Sequence, residues 1–303
     1  LIGWTSIMIY DAMLALQELA PLSPMIWTIA IGALVILWLF IGLHNTGYIQ
    51  AIVSILLLGF TLYMGTHMIS QWPSEGSLLT GGNMSFISAL ELSIAMPLSW
   101  LPLISDYTRE SKNPFFASLT SAAIYTVTSI AMYTLGLSAA IFGGGDSIIT
   151  IMMNAGLGLT GLIVIIFSTV TTTFMDAYSA GVSSTTIYNG ASSKGVAVIV
   201  TIVGAIAAIL YPMDDITEFL YLIGSIFAPM IAILLADYFV NRQQVQTLSA
   251  YLVRGLIWAV AVGLYHYMLH SESSIGATLP AFTIAFIVTS IVGFIRKTAN
   301  ALL

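Results

Sequence analysis

Ten stretches of mostly apolar residues, each about as long as the ~20 residues that a helix needs to cross a bilayer, follow one another along this chain of 303 residues. Prolines, glycines and asparagines separate them. The pattern predicts an all-α polytopic membrane protein with one transmembrane domain over residues 1–303. The predicted helices are 1–20, 25–43, 49–70, 86–109, 115–143, 159–188, 196–212, 216–241, 250–270 and 281–302.

The composition supports a lipid environment and excludes several classes of function. Hydrophobic residues make up 58% of the chain and charged residues 7%, whereas about 25% of the residues in soluble domains are charged. The chain has no cysteine, so disulfides, thiolate catalysis and Cys-ligated metals are excluded. It also lacks a nucleotide-binding glycine motif and any metal-ligand spacing of its histidines. We therefore expect no enzyme, no cofactor and no nucleic-acid partner.

The seven Lys and Arg residues lie at alternate gaps between the apolar stretches, while the gaps of opposite parity contain acids but no cation. Cytoplasmic loops of membrane proteins are enriched in Lys and Arg. The sorting therefore predicts that the cationic gaps and the carboxyl end face the cytoplasm in a plasma or inner membrane. The cations are Arg109, Lys112, Lys194, Arg242, Arg254, Arg296 and Lys297.

The fourth predicted helix contains two prolines, Pro97 and Pro102. Each lacks an N–H and leaves a carbonyl unpaired at membrane depth, where such groups must bond to protein or line a wet cavity. A simple kink satisfied by neighbouring helices is the alternative. Because transporters bind substrate at discontinuous helices, Met96, Pro97 and Trp100 are candidate substrate residues.

The sixth predicted helix carries a polar stripe. Ser168, Thr172, Asp176, Ser179 and Ser183 recur at spacings of three or four, which places them on one helical face. Hydroxyls in membrane helices often bond to their own backbone or join neighbouring helices. A carboxyl is costly at this depth unless it is paired, protonated or wet. We therefore predict that Asp176 contacts the substrate or a coupling proton, with a structural role as the alternative.

The first predicted helix places Trp4, Met8 and Asp11 on roughly one face. Tryptophan in a membrane helix is most often an interfacial anchor or a packing residue. Its alignment with an intramembrane acid makes Trp4 a candidate stacking surface, with Met8 and Asp11 beside it.

Three other acids are predicted to lie near helix ends. Glu91 is expected to face an outer vestibule, whereas Asp106 and Asp237 are expected to form interfacial ion pairs with Arg109 and Arg242.

An intramembrane aspartyl protease is the alternative function. Tyr10-Asp11 and Gly143-Gly144-Gly145-Asp146 are similar to the two short signatures of such proteases. Their chemistry needs two carboxyls at one intramembrane site. Because Asp146 is predicted to lie in an outer loop, the match is a weak one.

Three stretches together resemble the nucleobase–cation symporter family, which includes cytosine and hydantoin permeases. They are Pro97–Arg109, Thr171–Ser179 and Gly224–Phe239. Within the family, the run from Met96 to Pro102 is most similar to the hydroxymethylpyrimidine permease branch.

The resemblance implies a leucine-transporter-like fold built from inverted repeats. Family members have twelve helices, and residue 1 matches the start of their third. We therefore expect the ten visible helices to be helices three to twelve of a protein whose first two helices are absent from this fragment.

The resemblance also implies roles for single residues. Trp4 matches an aromatic residue that stacks on a flat heterocycle, and Pro97–Trp100 matches a broken helix that faces the substrate from the other side. Thr171 and Thr172 match hydroxyls that bind sodium together with carbonyls of the missing first helix. Met8 and Asp176 stand where relatives often carry Gln and Asn, so the substrate is expected to differ and proton coupling is an alternative to sodium.

These features predict cation-coupled, secondary-active import of a small nitrogen heterocycle by alternating access. The expected substrate is a pyrimidine such as hydroxymethylpyrimidine or a cytosine-like base.

Overall fold

The computed structural model describes residues 1–41, 46–70, 84–104, 108, 111–142, 156, 158–211, 213, 215–242, 247–271 and 274–302. Ten α-helices lie in this part of the chain, and a short π-helical segment, Ala236–Asn241, directly continues α8. The helices are α1 (Ile2–Leu19), α2 (Pro24–Ile41), α3 (Thr46–Ser70), α4 (Phe86–Trp100), α5 (Pro114–Phe142), α6 (Gly158–Ile187), α7 (Ser193–Leu210), α8 (Thr217–Leu235), α9 (Leu248–His270) and α10 (Thr278–Leu302).

Every predicted apolar stretch corresponds to one of these helices, so the predicted all-helical architecture is confirmed. Eight of the described helices are long and apolar enough to cross a membrane. The other two are α4, which is a shorter apolar helix, and α1, whose hydropathy is lowered by Asp11, Gln17 and Glu18.

The chain divides into two compact units, each formed by two separate segments of sequence. Unit 1 comprises residues 1–80 and 110–214, and unit 2 comprises residues 81–109 and 215–303. Helices α1, α2, α3, α5, α6 and α7 therefore belong to unit 1, and α4, α8, α9 and α10 belong to unit 2.

In unit 1, α1 packs against α2, α6 and α7. The close approach of α1 to α7 requires a glycine, since a Cβ at Gly204 would lie 2.7 Å from Cγ2 of Thr5. Small residues allow membrane helices to pack closely in this way. One buried cluster combines side chains of α1, α2, α6 and α7, namely Ile9, Tyr10, Ala12, Met13, Leu16, Ile31, Val35, Val170 and Ala208.

In unit 2, α8 packs against α4, α9 and α10. Alanines form much of the contact, with Ala232, Ala261 and Ala285 together in one buried cluster. Inside α8, Pro229 removes a backbone donor. The indole Nε1 of Trp258 donates to the carbonyl of Ile226 at 2.9 Å, so α9 supplies a polar contact beside this proline.

Candidate functional site

The α1 candidates lie on the less buried side of their helix. Trp4 and Met8 are half-buried and Asp11 is exposed, whereas Thr5 and Ile9 are fully buried against the rest of unit 1. The regular helix from Ile2 to Leu19 preserves the predicted alignment of Trp4, Met8 and Asp11. The three candidate side chains therefore share the less buried side of α1.

The polar stripe lies on a continuous helix, α6. Thr172 and Asp176 are half-buried, whereas Thr171 and Thr173 are buried. The stripe thus follows the border between the packed face of α6 and its open face. A side chain at that border is held in position by packing on one side and can still meet a ligand on the other.

The two threonine hydroxyls predicted to bind sodium both donate to carbonyls of their own helix. Oγ1 of Thr171 bonds to the carbonyls of Phe167 at 2.9 Å and Ser168 at 3.1 Å, and Oγ1 of Thr172 bonds to that of Ser168 at 2.8 Å. Such bonds are common in membrane helices. Because each hydroxyl donates its only proton to a carbonyl, the lone pairs of its oxygen remain available to coordinate a cation.

Asp176 is the least satisfied acid among the candidates. In the part of the chain that the structure describes, no group donates a hydrogen bond to its carboxylate. The carboxylate lies within electrostatic range of the backbone nitrogen of Leu1, at the start of α1 and in the turn that contains Trp4. Val170 packs in one cluster with Ile9 and Met13, as expected when α1 and α6 run antiparallel. Unit 1 therefore brings Trp4 and Asp176 to the same level.

The predicted break in the fourth helix occurs one turn later than Pro97. Helix α4 continues through Pro97 and ends at Trp100, and residues 101–103 form a turn. Leu103 N donates to the carbonyl of Trp100 at 2.9 Å. Pro102, which has no N–H, lies within this turn and cannot extend the α4 hydrogen-bond ladder. Met96, Pro97 and Trp100 are half-buried in unit 2.

Glu91 has a role that the sequence did not predict, since it caps a helix. Its side chain is buried, and Oε1 accepts from the backbone N–H groups of Ala277 at 2.6 Å and Thr278 at 2.5 Å. Helix N-termini favour such negative groups. The preceding Gly276 has φ +75°, and a Cβ there would collide with the Glu91 carboxylate. No local sequence signal links Glu91 to a cap 186 residues away.

Asp237 also pairs differently, because its partner is Arg254 and not Arg242. The two groups form a bidentate pair, with Nε to Oδ2 at 2.5 Å and Nη2 to Oδ1 at 2.7 Å. Nδ2 of Asn241 adds a bond to Oδ1 at 2.8 Å. Arg242 instead ends the π-helical segment with φ 50°. The predicted pair of Asp106 and Arg109 lies outside the described residues.

The sequence profile of a family described as permeases for cytosine/purines, uracil, thiamine and allantoin matches residues 10–300. The chain belongs to this family. Comparison with curated proteins gave no significant match. Among solved structures, the chain is similar to Mhp1, a nucleobase-cation-symport-1 family transporter in a closed conformation with bromovinylhydantoin bound. The TM-score is 0.75 at 18% identity, covering 98% of this chain and 74% of the Mhp1 chain.

Family membership confirms that the protein is a membrane transporter of the nucleobase type and not an enzyme. The structural match confirms the predicted leucine-transporter-like fold. The alternative of an aspartyl protease has no support from a family of permeases, and Asp146 lies outside the described residues. The hydroxymethylpyrimidine branch, the coupling ion, the orientation of the carboxyl end and the two missing helices stay predictions.

Proposed function

We propose that this permease imports a small aminopyrimidine, such as hydroxymethylpyrimidine, together with sodium, with proton coupling as the alternative. The observation that carries the proposal is the Asp176 carboxylate. It is half-buried in a membrane helix, lacks a hydrogen-bond donor among the described residues and lies beside the turn that contains Trp4. A carboxyl left in this state is costly unless a ligand or a proton satisfies it.

The chemistry of the ligand follows from these two side chains. An aminopyrimidine presents a ring nitrogen beside an exocyclic amine, and a carboxyl meets that edge with two hydrogen bonds when one partner carries the extra proton. The flat ring offers a face on which an indole stacks. We propose that Asp176 binds the polar edge and Trp4 the ring face, with Met8 and Asp11 completing the α1 side.

The residues of α4 are proposed as the second group of substrate contacts. The turn at residues 101–103 leaves backbone groups outside the regular helix, and transporters commonly use such interruptions to bind substrate. Met96, Pro97 and Trp100 lie immediately before this turn. Alternating access around the bound heterocycle would then complete the transport cycle.

Sodium is the proposed coupling ion because α6 carries adjacent hydroxyls, Thr171 and Thr172, whose lone pairs are available. Carbonyls of the family's first helix are proposed as the remaining ligands. Both threonine side chains are neutral, so the proposed sodium binding does not depend on the charge of Asp176.

Uptake of labelled hydroxymethylpyrimidine, cytosine, uracil and hydantoin by cells that express the full-length protein tests substrate and ion together. We expect the aminopyrimidines to be preferred and uptake to fall when choline replaces sodium. If uptake is the same in sodium and in choline but increases with an imposed pH gradient, proton coupling replaces the sodium proposal. Lack of uptake for all four compounds, with the protein present in the membrane, would contradict the substrate proposal.

Thr172→Ala is the sharper test of the ion site. We expect it to raise the sodium concentration for half-maximal uptake at least tenfold, roughly the loss of one ligand worth about 1.4 kcal/mol, with little change in substrate affinity at saturating sodium. Thr126→Ala is a matched control, since the Thr126 hydroxyl makes the same bond to a carbonyl of its own helix at 2.9 Å but is exposed on α5. Equal sodium dependence in both variants would remove Thr172 from the site.

The proposed orientation places the carboxyl end and the α6–α7 connection in the cytoplasm. The chain has no native cysteine to remove. An impermeant thiol reagent should therefore label Ser274→Cys in intact cells and should label Ser193→Cys only after lysis. The reverse pattern would invert the topology.

A further inference from the structure

A cavity of about 760 Å³ lies within unit 2, at the end where α4 and α10 begin and α9 ends. Its volume falls in the range of about 300–1,000 Å³ that small-molecule sites occupy. The candidate substrate residues do not line it. Its lining includes hydroxyl groups, one carboxylate and apolar side chains, from Ser85, Ser88, Glu91, Tyr221, Met268 and Leu269.

Glu91 supplies the charge of this cavity. Both backbone donors of the α10 cap bond to Oε1, and no described residue donates to Oε2. Since the side chain also lines the cavity, Oε2 is available to a ligand. The described Arg and Lys residues of unit 2 lie at the helix ends away from the cavity. Arg254 binds Asp237 near the start of α9, and Arg296 lies late in α10. This end of the unit therefore attracts a positive group.

The lining also indicates what kind of cation fits. A bare metal ion is poorly matched, because the described residues contain no cluster of three His, Cys, Asp or Glu side chains that could hold one. Met268 and Leu269 offer apolar surface beside the carboxylate, and the Tyr221 hydroxyl offers a polar contact. A ligand with one charged nitrogen and an apolar body would use all of these groups.

We propose that this cavity is a second binding site, distinct from the transport site, for a small organic ammonium ion. The ammonium group binds Oε2 of Glu91, and the apolar body lies against Met268 and Leu269. Such a ligand contacts α4, α8 and α9 at once, and Glu91 ties them to the start of α10. Occupancy would therefore stabilise unit 2 as a whole.

Calorimetric titration of the purified protein in lipid nanodiscs with benzylammonium chloride tests this site, and benzyl alcohol is the neutral control of the same shape. We expect saturable binding of benzylammonium that is at least tenfold tighter than that of the alcohol. Absence of saturable binding, or equal affinity for the two compounds, would overturn the proposal.

Two variants locate the binding. Glu91→Gln keeps an oxygen that accepts from Ala277 and Thr278 but removes the charge, so it should weaken benzylammonium binding at least tenfold. Glu218→Gln removes an exposed acid outside the lining and should change nothing. Met268→Trp fills the cavity without touching the cap and should abolish binding of both compounds. Wild-type affinity for benzylammonium in folded Glu91→Gln or Met268→Trp protein would contradict the assignment. If Glu91→Gln does not fold, the assignment is tested by Met268→Trp and by the comparison of benzylammonium with benzyl alcohol.

Discussion

The buried or partly buried acids of the two units differ in their hydrogen bonds. In unit 2, Asp237 bonds to Arg254 and Asn241, and Glu91 accepts two backbone N–H groups. In unit 1, Asp176 has no hydrogen-bond donor among the described residues, although it too is partly buried in a membrane helix. Acids within a bilayer are tolerated when they are satisfied. The difference teaches that the acids of unit 2 use their hydrogen bonds to hold helices together, although Oε2 of Glu91 stays open to the proposed ammonium ligand. Among the described residues, Asp176 makes no such bond between helices, which is why we propose it as the contact for a substrate or a proton.

The largest expected effect on stability comes from breaking the ion pair of unit 2. Asp237→Ala leaves the Arg254 guanidinium, which is only 12% exposed, without its partner. Loss of one member of a buried pair costs about 3–5 kcal/mol, because the remaining charge is desolvated and unpaired. We expect this loss in the free energy of unfolding, measured by denaturant titration in detergent.

Glu218→Gln is the control for that experiment, since Glu218 is an exposed acid in the same unit. It should leave the unfolding transition almost unchanged. Equal stability of Asp237→Ala and the wild type would mean that satisfied acids do not hold unit 2 together, and the contrast between the units would fail.

The next largest effect on stability concerns the packing of α1 against α7 in unit 1. It tests whether Asp176 lacks hydrogen-bond donors because the helices around it are loosely packed. A Cβ at Gly204 would lie 2.7 Å from Cγ2 of the fully buried Thr5. Overpacking of this kind costs about 1–3 kcal/mol, so Gly204→Ala should lower the free energy of unfolding by that amount. In Gly136→Ala the new methyl meets nothing within 4 Å, and the variant should be neutral or more stable by up to about 1 kcal/mol. If both variants behave alike, α1 and α7 do not pack tightly.

The smallest expected effect concerns an exposed acid of unit 2. Hydrogen bonds from the side chain and then the backbone of Thr217 lower the pKa of Asp215 below its ordinary value. The charged form therefore contributes stability above the unfolded pKa of about 3.9, and that contribution is lost as the pH falls through the native pKa. Carboxyl-resolved NMR titration should find the lowered pKa, and Thr217→Val, which keeps the N–H, should move it partly back. An ordinary pKa in the wild type would contradict this hydrogen-bond arrangement.

Much of the fold could be predicted from the sequence, because bilayer thickness fixes helix length and breakers mark the ends. The predicted stretch 115–143, for example, is α5 at Pro114–Phe142. Helix α4 is the exception, since the apolar run continues past Trp100 while Pro102 ends the hydrogen-bond ladder. Hydropathy alone cannot detect that interruption.

The candidate site could be predicted only where its residues share one helix. The alignment of Thr172 with Asp176 follows from helical spacing, whereas the pairing of Asp237 with Arg254 and the cap formed by Glu91 depend on contacts between helices. The sequence pairs Asp237 with Arg242, its near neighbour, because spacing along the chain gives no information on how α8 and α9 pack. Arg254 lies in the second turn of α9, 17 residues from Asp237, and the hairpin of these two helices brings them together.

Asp176→Asn tests the contrast between the units most directly when transport and stability are measured on the same variant. We predict that uptake of labelled hydroxymethylpyrimidine falls at least tenfold while the free energy of unfolding changes by less than about 1 kcal/mol, because the lost charge has no structural partner. Asp237→Ala should show the opposite pattern, with lost stability and normal uptake per folded molecule. Unchanged uptake and pH dependence in Asp176→Asn, accompanied by marked destabilisation, would show that Asp176 is structural and would contradict the proposed site.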